Sequence, residues 1–85
     1  MDCPTIMAIL VDNRREAAVK VQEILTKYGC LIRMRLGLHE TDACTDNGLI
    51  ILQLCGSEDE QRQLESELNA LERVKAGVIK LAFDD

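Results

Sequence analysis

The stretch Thr5-Ile6-Met7-Ala8-Ile9-Leu10-Val11 is apolar from its second residue to its last. A second stretch, GLIILQLC at residues 48–55, is apolar at nearly every position as well. Short apolar runs that contain β-branched residues are typical of strands covered on both faces of a sheet. The two stretches therefore predict two central strands, and the segments around them decide to which fold those strands belong.

A helix is predicted after the first central strand. Asn13 and Glu16 have the spacing of a helix capping box, and Gly29 is predicted to end the helix in the left-handed conformation. The apolar residues between these signals recur at helical spacing: Ala17, Ala18, Val21, Ile24, Leu25 and Tyr28. This segment is therefore predicted to pack one face against the sheet.

A second helix is predicted after the second central strand. Ser57 and Glu60 form another capping box, and the acidic residues that follow Ser57 suit the positive end of the helix dipole. The apolar stripe of this helix is shorter than that of the first: Leu64, Leu68 and Leu71.

Two further segments alternate between apolar and other residues, as strands with one buried face do. Residues 30–38 are predicted to bury one row of side chains: Ile32, Met34, Leu36 and Leu38. Residues 78–83 form the last predicted strand, with Ile79, Leu81 and Phe83 on one face.

The order of elements is βαββαβ, in one domain that spans residues 1–85. With right-handed crossovers this order predicts a ferredoxin-like α+β sandwich, a four-stranded antiparallel sheet with two helices on one face. The first and third strands are central in this fold, and the second and fourth are edges. The two apolar stretches fall on the predicted central strands.

The uncovered face of that sheet predicts self-association. The central strands are apolar on both faces, and monomers seldom expose a contiguous apolar patch. We therefore expect a homo-oligomer, a dimer or a tetramer, that is built through this face. Arg33 and Arg35 are predicted to lie at its rim. They are either solvated edge-strand charges or the binding residues for an anionic ligand or an acidic protein partner.

Charge and composition exclude several classes of protein. The net charge is −5, and Tyr28 and Phe83 are the aromatic residues, so direct nucleic-acid binding is not expected. No apolar run reaches the roughly 18 residues that a membrane span needs, and the N-terminus lacks the pattern of a secretory signal. We expect a cytoplasmic protein whose four cysteines are free thiols, with Cys30 and Cys55 as small buried hydrophobes.

Two loops carry candidate binding residues. Asp12, Asn13 and Arg14 lie between the first strand and the first helix, where backbone N–H groups often hold anions. The alternative is a plain strand stop and helix cap. The second loop holds His39 and Cys44 as candidate metal ligands, with Asp42 and Asp46 nearby, or it is an ordinary polar loop. No catalytic motif is present, so an enzyme is not expected.

Several segments are similar to a known family: IRMRLGL at residues 32–38, NGLIILQL at residues 47–54 and VKAGVIK at residues 74–80. The chain resembles the iron-only hydrogenase system regulators over nearly its whole length. The resemblance implies an ACT-like form of the ferredoxin-like fold, oligomers built through the sheets, and a regulatory or sensor protein.

ACT-like domains commonly bind small molecules at subunit interfaces, so the resemblance also implies a small-molecule effector. No catalytic residue and no particular cofactor come with the family. The alternative function is a sensor or carrier of a transition metal that uses the loop from His39 to Asp46.

Overall fold

The computed structural model describes residues 3–12, 16–38 and 47–84. Within these residues the strands are β1 (Thr5–Asp12), β2 (Ile32–Leu38), β3 (Asn47–Leu54) and β4 (Val74–Lys80), and the helices are α1 (Ala17–Lys27) and α2 (Glu58–Asn69). The strands form one antiparallel sheet in the order β2-β3-β1-β4. The ferredoxin-like α+β prediction is confirmed, including the two central and two edge strands.

The core lies between the helices and one face of the sheet. In the β1–β3 register Met7 is opposite Leu52 and Thr5 is opposite Leu54, and all four side chains are buried. Ile9 of β1 is fully buried as well, and the helices contribute Val21, Leu25, Leu64 and Leu68. In β1, β3 and β4 every second side chain therefore points towards the core and the others point to the opposite face.

A β-bulge in β2 changes which residues that strand buries. The register shifts between Ile32 and Met34, so Ile32 is opposite Leu54 on the helix side while Met34 is opposite Gln53 on the other side. The prediction that Met34 and Leu36 are buried with Ile32 is wrong for the single chain, because they are 48% and 49% exposed. An extra residue in one strand reverses the faces of all the residues that follow it.

The end of α1 also differs from the prediction. Gly29 does not take the left-handed conformation; among the described residues the glycine with positive φ is Gly56 (φ 107°). The helix ends at Lys27 and is followed by one 3₁₀ turn, Gly29–Leu31, in which the Leu31 N–H donates to the Tyr28 carbonyl (2.9 Å). At its start, Glu16 makes no side-chain capping bond, and Asn13 lies outside the described residues.

The start of α2 confirms Ser57 as the cap of this helix. The Glu60 N–H donates to Ser57 Oγ at 3.2 Å, and the Ser57 hydroxyl in turn contacts Glu60 Oε1 at 3.0 Å. Leu64 and Leu68 are buried as predicted, and Leu71, past the end of the helix, is half-buried.

The cysteines contradict the free-thiol prediction. Cys3 and Cys55 form a disulfide with a Cα–Cα distance of 5.1 Å, and Cys30 is a free, exposed cysteine rather than a buried one. The cause is the register of the central strands. Because Thr5 is opposite Leu54, the residues just before β1 and just after β3 are neighbours. The spacing along the chain, a sequence separation of 52, carries no sign of this pairing.

The outer edge of β4 is covered by a side chain of α2. Asn69 Nδ2 donates to the Ala76 carbonyl (3.0 Å), and Asn69 Oδ1 accepts from the Ala76 N–H (2.8 Å). Ala76 is itself buried. The amide thus takes the place that a further strand would occupy, which is one way in which proteins protect a sheet edge.

We predict that Asn69→Ala lowers the free energy of unfolding by about 1–3 kcal/mol, because two backbone groups of Ala76 lose their partners. Urea denaturation followed by circular dichroism measures the change. Gln63→Ala, at an exposed amide on the same helix, is the matched control and should change stability by less than about 0.5 kcal/mol. Equal midpoints for the two variants would contradict the assigned role of Asn69.

Candidate functional site

The face of the sheet opposite the helices is apolar. We call it the open face and define it by eight side chains that the strand registers place together: Ile6, Ala8, Leu10, Met34, Leu36, Leu49, Ile51 and Ile79. Leu10 is 48% exposed and Ile79 is 62% exposed, and Ile51, at the centre, is half-buried. Two polar residues lie on the same face: Gln53 opposite Ile6 and Lys75 opposite Leu10. The Gln53 amide donates to the Cys3 carbonyl.

The open face is large for so small a chain. Four strands spaced about 4.8 Å apart give the width of the sheet, and five residues with a rise of about 3.4 Å each give its length. The flat area is then roughly 300 Å², without the extra area of the protruding side chains. Apolar patches of this size on monomers are often functional. The open face is therefore the first candidate interaction surface.

A cavity of about 260 Å³ lies at one end of the open face. We call it the end cavity; its lining residues are Leu10, Asp12, Asn47, Arg73, Val74 and Lys75. Leu10 and Lys75 are opposite one another in the β1–β4 register, so the end cavity and the open face share these residues. A molecule bound there would also lie against any partner that covers the open face.

Asp12 and Arg73 are joined by both side chain and backbone. Arg73 Nε donates to Asp12 Oδ2 at 2.9 Å, and the Asp12 N–H donates to the Arg73 carbonyl at 3.1 Å. Asp12 is only 4% exposed, whereas the Arg73 side chain is 53% exposed. A buried carboxylate needs such a partner, and the pair fixes the guanidinium at the cavity wall.

Arg73 has an unusual backbone conformation. Its φ is +64°, the left-handed region that residues with a Cβ enter at a cost of about 1–2 kcal/mol. Strain of this kind is often found at functional positions. No signal in the sequence indicates a special role for Arg73, because the usual signals of a left-handed residue are Gly and Asn and this position has neither.

The end cavity has the chemistry of a site for a small anion with an apolar part. Its lining contains two cationic side chains, Arg73 and Lys75, and one carboxylate, that of Asp12. Leu10 and Val74 form the apolar part of the lining. Asn47 adds an amide that can donate and accept hydrogen bonds. Nothing in this set resembles a nucleophile with its base.

The structure brings together only part of the predicted site. Asp12 lines the end cavity, while Asn13 and Arg14 lie outside the described residues. Arg33 lies at the β-bulge of the far edge strand, and Arg35 is opposite Leu52 on the helix side. Arg35 is therefore not part of the rim of the open face, because the bulge moves it to the other side.

The predicted metal site cannot be compared with the structure. His39 and Cys44, with the rest of their loop, lie outside the described residues. Among the residues that the structure describes, no cluster of three or more His, Cys, Asp or Glu side chains could hold a metal ion. Within the same ranges, no helix is long and apolar enough to cross a membrane.

The groups with shifted pKa values lie away from the open face. A hydrogen bond from Tyr28 and an ion pair with Lys27 lower the pKa of Glu67, and the same contacts raise the pKa of Tyr28 and of Lys27. A hydrogen bond and ion pair with Lys80 lower the pKa of Glu58. These contacts join α1 to α2 and α2 to β4, so their role is structural.

Comparisons with known proteins establish the fold. No protein-family model matches the sequence, and no curated protein matches it significantly. The solved structure of an uncharacterized protein from Thermotoga maritima is similar, with a TM-score of 0.84 and 24% sequence identity over 92% of this chain and 95% of that one. At this identity the similarity shows a shared fold and does not assign a function.

We predict that Arg73→Gly is more stable than Arg73→Ala by about 1 kcal/mol. Both variants lose the contact with Asp12, but only glycine adopts a φ of +64° without strain. Urea denaturation of the two variants measures the difference. If Arg73→Ala were as stable as Arg73→Gly, the turn would not be strained at this residue.

Proposed function

We propose that the protein is a non-enzymatic regulatory module that self-associates through the open face and binds a small effector in the end cavity. The observation that supports this proposal is the open face itself, an apolar surface that the helices of the same chain do not cover. The proposal that it regulates an iron-only hydrogenase system rests on the family resemblance of its strand segments.

The second copy is the best-supported occupant of the open face. Stable interfaces bury about 800 Å² on each partner, with an apolar core inside a polar rim. A footprint of roughly 300 Å² has the size of such a core. Two apolar faces of the same shape can pack on each other in a two-fold dimer, with Lys75 at the end of each face, and sheets commonly pack face to face in this way.

The edges of the sheet are less suited to association. At the outer edge of β4, Asn69 already bonds both backbone groups of Ala76, and Lys80 pairs with Glu58 at the end of the same strand. The other edge strand, β2, contains a bulge and two arginines, features that discourage pairing with another strand. Association through the face therefore remains the favoured geometry.

The end cavity supports the effector part of the proposal. Arg73 and Lys75 suit an anionic group such as a carboxylate, and Leu10 suits an apolar part of the same molecule. A free amino acid has both. Because the end cavity shares Leu10 and Lys75 with the open face, an effector there would contact both subunits and couple its binding to association.

We predict that Ile51→Asp converts the dimer to a folded monomer, since it places a charge at the centre of the open face. Native mass spectrometry of the untagged protein gives the oligomeric state, and circular dichroism reports the fold. Val19→Asp is the matched control, because Val19 is 62% exposed on α1 and should leave the dimer intact. Ile9→Asp, on the buried side of β1, should unfold the chain instead.

Two results would contradict the proposed association. The first is a wild-type protein that stays monomeric at every concentration measured. The second is a dimer that Ile51→Asp and Val19→Asp weaken to the same degree.

We predict that at least one L-amino acid raises the melting temperature of the wild-type protein and that Lys75→Ala loses this effect. A ligand that binds only the folded state stabilises it, by about 4–8 °C for each kcal/mol in a domain of this size. Thermal denaturation against a panel of the common L-amino acids measures it. Lys20→Ala, at an exposed lysine on α1, is the control and should keep the full shift. An equal shift in Lys75→Ala would exclude the end cavity as the binding site.

A further inference from the structure

The residues after β4 expose two large apolar side chains. Leu81 is 61% exposed, and Phe83, the single phenylalanine of the chain, is 94% exposed. The described part of the chain therefore gives Phe83 almost no cover. Fully exposed aromatic side chains are uncommon on surfaces that remain wet, and aromatic residues are enriched at the centres of interfaces.

The position of this segment is set by β1. The Leu81 N–H donates to the Pro4 carbonyl at 3.0 Å, which extends the β4–β1 register by one residue beyond Lys80 and Thr5. Pro4 follows Cys3, which the disulfide holds to the end of β3. The chain therefore leaves the sheet at Leu81 in a defined direction.

The strand alternation places Leu81, which still bonds to β1, on the side of the open face. Ile79 is opposite Ile6 on that face, and Leu81 is two residues further along the same strand direction. Phe83 is two residues beyond Leu81, about 7 Å past the last backbone bond to β1. At 94% exposure it has almost no contact with the apolar side chains of its own open face.

We propose that residues 81–83 form an apolar arm that packs on the open face of a second copy, with Phe83 as its aromatic anchor. The inference rests on the proposed association through that face. It adds that Phe83 contributes much of the affinity of the dimer. A two-fold dimer brings the open face of the second copy over this side of the sheet. Each dimer then contains two such anchors, one from each chain.

The contribution of the arm to the stability of the dimer is measured by the dissociation of the dimer on dilution. Phe83→Ala should raise the dissociation constant of the dimer roughly a hundred-fold, because two buried aromatic anchors are lost per dimer. Analytical ultracentrifugation over a range of concentrations gives this constant. Val19→Ala removes an exposed apolar side chain from α1 and should leave the constant within about two-fold of the wild type.

A spectroscopic readout tests the location of the arm directly. The chain has no tryptophan, so Phe83→Trp introduces a single reporter. Its emission should shift to the blue as protein concentration rises and the dimer forms. The shift should vanish when Ile51→Asp is added to Phe83→Trp. The control Val19→Trp should keep the emission of a solvated indole at every concentration.

The outcomes separate the arm from the association that it serves. A dimer that persists with an unchanged dissociation constant in Phe83→Ala, and with a solvated tryptophan at position 83, would overturn the arm and leave the open-face dimer standing. A wild-type chain that is monomeric throughout would overturn both. A large increase in the constant together with the blue shift supports the arm.

Discussion

Two helices cover one face of a four-stranded sheet, while the central strands carry apolar side chains on both faces. The antiparallel registers of β1 with β3 and β4 decide the face on which each of these side chains lies. Met7 and Leu52 lie in the core, and Ala8 and Ile51 lie on the open face. The helices cannot reach the second set. The rest of the described structure is arranged around this division, because residues 3–12, 16–38 and 47–84 contain no further helix or strand to place on the open face.

Side chains protect the parts of the sheet that the helices do not reach. Asn69 bonds the outer edge of β4, and the Cys3–Cys55 disulfide holds the start of β1 to the end of β3. At the other end, Asp12 and Arg73 join β1 to the turn before β4. Each of these contacts joins residues from different elements, so together they keep the sheet intact while its second face remains available for association.

The proposed function follows from the position of the end cavity. Its cationic residues lie where the open face ends, so that ligand and partner would share Leu10 and Lys75. In the proposed function, a small molecule bound there would change the free energy of association directly, without any movement transmitted through the core. The strained backbone of Arg73 holds a guanidinium at this place and is itself held by the buried carboxylate of Asp12.

The sequence by itself determined the element order, the central strands, the second helix cap and the presence of an uncovered apolar face. These depend on hydrophobic periodicity and local hydrogen bonding, which are properties of neighbouring residues. The same local signals identify Asp12 as a candidate binding residue, because it is the polar residue that ends the first strand. Only the tertiary structure decided the bulge that exposes Met34, the Cys3–Cys55 pairing and the partnership of Asp12 with Arg73. These features depend on the register between strands, which places residues distant in sequence side by side and leaves no local pattern in either segment.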